Sequence, residues 1–231
     1  NETFVVISAD IISNMDLGEA IKFHKEKNAL ATMILAKVKN PLEYGIVITG
    51  EGGRIKHFLE KPSWDEVFSD TINAGIYIFE PGVFSYIPKD RENDFSLSLF
   101  PRLLNDKQKL YGFADEGYWK DIGSLLEYSQ ANQDILEQEK YPDISKSAKL
   151  SSTAKINGAV KIGKNSFIAD DVYISNSCIG SNVSIGRGSR IINSVIWDKV
   201  EIRKEIIAND CIILNNVILD DRVHLEEGSV I

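Results

Sequence analysis

The stretch Ile156-Asn157-Gly158-Ala159-Val160-Lys161-Ile162-Gly163-Lys164-Asn165-Ser166-Phe167-Ile168, continued by Ala169-Asp170-Asp171-Val172-Tyr173-Ile174, places an isoleucine at every sixth position. Val160, Ser166 and Val172 follow the first three isoleucines at a fixed offset of four, so small or β-branched residues sit between them. A helical face would recur every three or four residues and a single strand every second one. A period of six fits three short strands per coil. That is a triangular solenoid, whose inward isoleucines stack from coil to coil into one continuous core. The pattern runs on through Ile179, Val183, Ile185, Ser189, Ile191 and Val195, then more loosely through Ile202, Ile206, Cys211, Val217, Val223 and Leu225. Asn176-Ser177-Cys178-Ile179 and Asn193-Ser194-Val195-Ile196 lie about one coil apart, and Asn216-Val217-Ile218-Leu219 echoes them. The looser spacing reads as bulged corners. Gly163, Gly180, Gly186 and Gly188 are expected at corners that need positive φ.

Working outward from the solenoid, composition shifts near Gln138 to Pro142, and no helical pattern returns after Tyr141-Pro142-Asp143. This predicts two domains, residues 1–140 and 141–231. In the first, short apolar strands alternate with amphipathic stretches, the arrangement of α/β packing around a largely parallel sheet. Strands are predicted from Thr3 to Ser8, Ala31 to Val38, Gly45 to Thr49, Ile55 to Glu60, Ala74 to Phe79 and Leu110 to Ala114. A helix from Leu17 to Lys27 puts Leu17, Ala20, Ile21 and His24 on one face, and a second from Leu126 to Gln138 leads out of the domain. Glu51-Gly52-Gly53 reads as a hairpin turn between two strands.

Of the 231 residues, 43% are hydrophobic and 26% charged, which fits a globular chain with a sizeable core. No apolar run approaches the roughly 20 residues of a membrane-spanning helix. The formal net charge of −8 repels polyanions and gives no footprint for nucleic acid, so any bound phosphate must be met locally. Cys178 and Cys211 show neither a zinc-site spacing nor a disulfide framework. The start at Asn1, without Met and directly before the apolar run Phe4 to Ile7, reads as a cut in a longer cytoplasmic protein rather than a signal peptide.

Five short motifs follow one another along the first domain: Val5-Val6-Ile7-Ser8-Ala9-Asp10, Tyr44-Gly45-Ile46-Val47, Phe58-Leu59-Glu60-Lys61-Pro62, Ile72-Asn73-Ala74-Gly75-Ile76-Tyr77 and Gly117-Tyr118-Trp119-Lys120-Asp121-Ile122-Gly123. In this order and at these distances the chain resembles the sugar-1-phosphate nucleotidyltransferase family, and within it the prokaryotic mannose-1-phosphate guanylyltransferases, partly through Phe100-Pro101-Arg102-Leu103-Leu104. The resemblance implies the fold class: an α/β, Rossmann-like nucleotide-diphospho-sugar transferase sheet, present in part, followed by an all-β left-handed parallel β-helix of hexapeptide repeats. The hand comes from the resemblance alone, since parallel crossovers are otherwise right-handed.

It also implies a reaction in which a sugar 1-phosphate attacks the α-phosphorus of a nucleoside triphosphate and expels pyrophosphate. GDP-mannose is the expected product, with glucose 1-phosphate and UTP, dTTP or ATP as the next choice. Two phosphate-bearing anions must be brought together in line, so cations and donors must offset their repulsion. Asp10 and Asp121 match the family's metal-binding aspartates, and hard carboxylate oxygens suit Mg²⁺. Read without the family, Asp10 is a loop cap and Asp121 a helix N-cap. Lys61 matches the lysine on the sugar phosphate and Glu60 the carboxylate that accepts from sugar hydroxyls. Neighbours in a strand face opposite ways, so both serve one ligand only if the backbone turns at Pro62. Gly45 matches a glycine whose backbone approaches the sugar, and Asn73 an amide that binds a hydroxyl. Trp119 stacks on ligand or fills the core, and the core is favoured. His24, His57 and His224 are assigned no chemistry.

The family's nucleotide-binding loop, of the form G-G-x-G-[ST]-R-L, does not occur in these residues, and Gly50, Gly52 and Gly53 sit in a hairpin instead. Residues 1–231 alone are therefore expected to be inactive. From a different class, the same architecture suits a non-catalytic regulatory homologue. Asp10, Glu60, Lys61 and Asp121 together favour catalysis, because a scaffold needs none of them. The solenoid's flat faces suggest a homo-oligomer.

Overall fold

The computed structural model describes residues 2–138 and 142–231, so the expected division between residues 140 and 141 lies outside the described residues. The chain forms two compact units, Asn1–Asp121 and Ile122–Ile231.

The first unit runs β1 (Phe4–Ile7), β2 (Ile11–Ser13), α1 (Leu17–Glu26), β3 (Ala31–Lys37), β4 (Ile46–Thr49), β5 (Ile55–Leu59), β6 (Thr71–Phe79), α2 (Phe100–Asn105), β7 (Leu110–Ala114) and β8 (Trp119–Asp121). The main sheet has the order β5-β4-β6-β3-β7, with β1 also on β6; β2 and β8 form a separate ribbon. This corrects the expectation of a largely parallel sheet. Only β3 and β7 run parallel among its described strands, and the other pairs are antiparallel. Connection length is the reason: the turn at residues 50–54 sends the chain straight back, whereas a parallel step needs a crossover of about a dozen residues or more.

Strand alternation sorts the core into two layers. Met33 and Leu35 face Val47, Tyr77 and Phe79, under Phe100 and Leu103 of the α2 region. Ile34 and Ala36 face Ile46, Ile72, Ile76 and Ile78, with Ala20 of α1. The Asp16 carboxylate caps α1 by accepting from the Glu19 N–H at 3.0 Å. Ala20 and His24 lie buried on the predicted helix face.

In the second unit the repeat is a parallel β-solenoid. Ile156, Ile174, Ile191 and Ala208 stack in register, as do Ile162, Ile179, Ile196 and Ile213, and Ile168, Ile185, Ile202 and Leu219. The looser spacing is indeed a corner effect. Register slips between Asn157 and Val160, where the first coil carries an extra residue; the later coils turn that corner on left-handed Asn176, Asn193 and Asp210. Of the four glycines expected at positive φ, only Gly188 has it, at 73°. Gly163, Gly180 and Gly186 are needed instead because neighbouring backbone leaves no space: a Cβ on Gly180 would stand 2.5 Å from Asp198 Oδ1 and 2.7 Å from the Trp197 carbonyl carbon. The left-handed corner positions go to Asn165, Asn182, Lys199 and Asn216.

Helix α3 (Leu125–Gln138) packs within this unit, burying Ala131 and Leu136. Gln133 Nε2 donates to the Asn176 carbonyl at 3.0 Å, and Trp197 Nε1 to the Tyr128 hydroxyl at 3.0 Å. A groove of about 800 Å³ runs along α3 and contains none of the residues expected to meet substrate. Among the described residues no helix is long and apolar enough to cross a membrane.

Candidate functional site

Gly45, just before β4, is buried beside Phe58 of β5 and Glu60 just beyond that strand. A Cβ there would stand 2.6 Å from Glu60 Oε2 and 2.8 Å from Phe58 Cε2 and Cζ. The glycine thus first admits the chain's own carboxylate and ring. Glu60 Oε2 is buried and has no hydrogen-bond partner among the described residues. A buried acceptor left unmade is costly, more so on an ionised group, and such an atom is a candidate for a donor brought by ligand.

The turn required for Glu60 and Lys61 to serve one ligand is present. Strand β5 ends at Leu59, and Lys61 adopts φ 45° directly before Pro62, with its N–H donating to the Tyr44 carbonyl at 3.2 Å. A left-handed lysine is uncommon. It takes the chain out of the strand's alternation, so its exposed side chain is not forced to the opposite face.

Asn73 lies on β6, its N–H donating to the Gly45 carbonyl at 2.8 Å. Its Oδ1 accepts from the Gly75 N–H at 3.0 Å and its Nδ2 donates to the Tyr77 hydroxyl at 2.9 Å. One amide hydrogen and one lone pair remain for a hydroxyl, so Asn73 is a pre-oriented donor and acceptor. The orientation depends on a bulge: β6 slips register against β3 between Met33 and Leu35, and Gly75 sits at φ 72°. Bulges re-aim side chains beside sites. The Tyr77 hydroxyl is pushed above the usual phenol range, first by burial, opposed by the bond from Asn73, and further raised by the Glu60 and Asp94 charges. Glu60, Asn73 and Tyr77 therefore share one locality.

The same bulge reaches toward the aspartates. Trp119 Nε1 donates to the Ala74 carbonyl at 2.8 Å, and its ring meets Tyr44 edge-on at 5.3 Å. Trp119 packs against the α1-side core, as expected. The Ser8 N–H donates to the Gly75 carbonyl at 3.0 Å, so the chain leaving β1 crosses the bulge just before Asp10. Asp10 occupies an exposed turn, and the next residue, Ile11, pairs antiparallel with Asp121. Asp121 ends a strand rather than capping a helix; α3 begins at Leu125, where the Ser124 hydroxyl accepts from the Glu127 N–H at 3.1 Å. Asp10, in the turn just before β2, and Asp121, at the end of β8, thus come from distant parts of the chain to the same end of one ribbon. Among the described residues no group of three or more His, Cys, Asp or Glu is placed to hold a metal ion. Two hard carboxylates are nevertheless a fitting protein share for Mg²⁺, which is bound through one or two carboxylates with substrate phosphates and water completing its shell.

Tyr77 and the β2–β8 ribbon were not among the expected features. The signal for the bulge was present: a glycine two places after Asn73, inside a strand, marks a bend or a close approach.

Residues 1–138 match the family described as "Nucleotidyl transferase", and residues 138–231 match "EIF2B subunit epsilon LbH domain", a left-handed β-helix class. A UTP–glucose-1-phosphate uridylyltransferase from Synechocystis sp. is 42% identical over 141 residues, covering 60% of this chain and 36% of that protein. A mannose-1-phosphate guanylyltransferase from Mycobacterium tuberculosis is 36% identical over 137 residues, covering 59% of this chain and 38% of that protein. A glucose-1-phosphate adenylyltransferase from Desulfitobacterium hafniense is 33% identical over 147 residues, covering 60% and 36%. The chain spans well under half the length of each.

Proposed function

We propose that this chain, which belongs to the nucleotidyl transferase family, forms the sugar-phosphate side of an enzyme that makes a nucleotide-diphospho-sugar and pyrophosphate. In that reaction a phosphate oxygen of the sugar 1-phosphate bonds to the α-phosphorus of the triphosphate. The bond from α-phosphorus to the bridging oxygen breaks, and its electron pair leaves with pyrophosphate.

The observation that carries the reading is the buried Glu60 Oε2, without a hydrogen-bond partner among the described residues, at the same Gly45 to which the oriented Asn73 is bonded. Glu60 accepts from sugar hydroxyls. Asn73 accepts and donates with the atoms its own network leaves free. Lys61 supplies a compact positive charge for the sugar phosphate. Gly45 leaves room for the Glu60 carboxylate. Asp10 and Asp121 would hold Mg²⁺, which when bound offsets charge on the phosphate oxygens. The protein's own contribution would be to hold both aspartates at one end of the ribbon.

We take mannose 1-phosphate with GTP as the substrate pair, and glucose 1-phosphate with UTP as the pair to test against it. The Gly-rich nucleotide loop is not within residues 1–231, so no turnover is expected from them alone. We further place the protein in the cytoplasm, as a homo-oligomer through its solenoid. A non-catalytic regulatory homologue of the same architecture is the second reading, and it predicts no turnover with any pair.

The test is pyrophosphate release by the full-length protein with Mg²⁺ and each pair. Activity that falls about a hundredfold or more in Asp121→Asn supports the reading. Unchanged turnover in that variant removes the role of Asp121, and silence with every pair favours the non-catalytic reading.

A further inference from the structure

The β2–β8 ribbon has only three paired positions, too few to hold its own register in water. Yet register is what sets Asp121 opposite Ile11, the residue after Asp10, because a slip of one residue would turn every side chain of the strand to the opposite face. Something must pin it.

The pin lies at the end of the ribbon away from the aspartates. Asp115 Oδ2 accepts from the Asp16 N–H at 3.0 Å and its Oδ1 from the Gly117 N–H at 2.6 Å. Asn14 Oδ1 accepts from the Tyr118 N–H at 2.7 Å, while the Asn14 N–H donates to the Tyr118 carbonyl at 3.1 Å. The two side chains thus cross between the segment leaving β2 and the segment entering β8. Gly117 is enclosed between them: a Cβ there would stand 2.8 Å from Asn14 Oδ1, 2.8 Å from Asp115 Oδ1 and 3.1 Å from Met15 Cα. The frame behind is rigid. Met15 is buried in the core, Asp16 caps α1, and the Asp115 N–H donates to the Leu35 carbonyl of β3 at 3.2 Å.

We propose that Asp115 and Asn14 are positioning residues that set the spacing of Asp10 and Asp121 by locking the register of their ribbon. This rests on the reading that those two aspartates hold the divalent ion. Asp115 acts through backbone hydrogen bonds to the segment leaving β2, at Asp16, and the segment entering β8, at Gly117.

The experiment uses the full-length protein and Mn²⁺ as probe, measuring its dissociation constant by paramagnetic resonance without substrates. Amide hydrogen exchange of Ile11–Ser13 and Trp119–Asp121, and the apparent KM for Mg²⁺ and for sugar phosphate, complete it. Asp115→Ala, which removes a charged acceptor of two hydrogen bonds, is expected to weaken Mn²⁺ binding about tenfold, and Asn14→Ala, which removes one neutral acceptor, about threefold. They should raise the KM for Mg²⁺ in step, leave that for sugar phosphate nearly unchanged, and speed exchange in the ribbon. Asp115→Asn, which keeps one acceptor, should fall between, and it serves if the alanine variant fails to fold. Faster exchange with unaltered Mn²⁺ affinity would make the pair merely structural and overturn the proposal. Unaltered Mn²⁺ affinity in Asp121→Asn would remove the metal reading itself, and this inference with it. Loss in Asp121→Asn but not in Asp115→Ala or Asn14→Ala removes only the latter.

Discussion

Gly45 and Glu60 face each other so closely that the absent side chain of one is the room occupied by the other: a Cβ on Gly45 would stand 2.6 Å from Glu60 Oε2. Gly45→Ala therefore pushes either the carboxylate or the Phe58 ring aside. Overpacking of this kind costs about 1–3 kcal/mol. The expected outcome is a lower melting temperature together with a raised KM for sugar phosphate, measured by calorimetry and steady-state kinetics. An alanine variant with native KM would show that the carboxylate position is immaterial.

Glu60→Gln separates folding from function. The Glu60 Oε2 atom has no hydrogen-bond partner among the described residues, so replacing the carboxylate by an amide removes no bond there and should leave stability unchanged or higher. With substrate, the variant loses a charge-assisted acceptor worth about 1.5–3 kcal/mol, or about ten- to a hundredfold in KM. Denaturant unfolding and kinetics on one preparation check both halves.

His24 gives stability a slope with pH. It is 1% exposed, with Nδ1 2.8 Å from Thr32 Oγ1 and Nε2 3.3 Å from Glu80 Oε1. Burial lowers its pKa below the ordinary 6.5, with Glu80 acting in the opposite direction and Lys25 adding slightly to the lowering. Between the folded value and 6.5 the unfolded chain binds more protons, so stability is fully present above 6.5 and is lost as pH falls through it toward the folded value. Urea midpoints measured from about pH 8 to about pH 5 should show this loss, and His24→Gln should flatten that part of the profile.

In the solenoid, two positions two residues apart should respond in opposite ways. Gly180→Ala places a Cβ against the Trp197–Asp198 backbone and should destabilise by about 1–3 kcal/mol. Asn182 already sits at φ 57°, so Asn182→Gly is expected to be close to neutral. Paired thermal melts decide it; equal losses would contradict the stacking account of Gly180.

How much of the site could be read early depends on whether its geometry is local. The turn at Lys61 was legible, because Glu60, Lys61 and Pro62 are neighbours and a strand cannot present two of them to one ligand. The β6 bulge was legible in principle from Gly75. Strand direction is not legible in the same way, because alternating strands and helices suggest crossovers, whereas the short turn at residues 50–54 enforces an antiparallel return. The clamp of Asn14 and Asp115 carried no signal, since a lone polar residue on each of two distant loops looks like any solvated turn.

The solenoid followed from amino-acid order alone, because each coil repeats one stacking rule and a period of six residues is itself the architecture. Even its irregular corner was announced by the changed spacing after Ile174. Tertiary structure alone decided which glycines are crowded rather than left-handed, why Lys199 adopts φ 59°, and that Ile11 stands opposite Asp121. These depend on register between segments far apart in the chain, and no local preference of Asp10, Gly180 or Lys199 encodes which backbone will lie beside it.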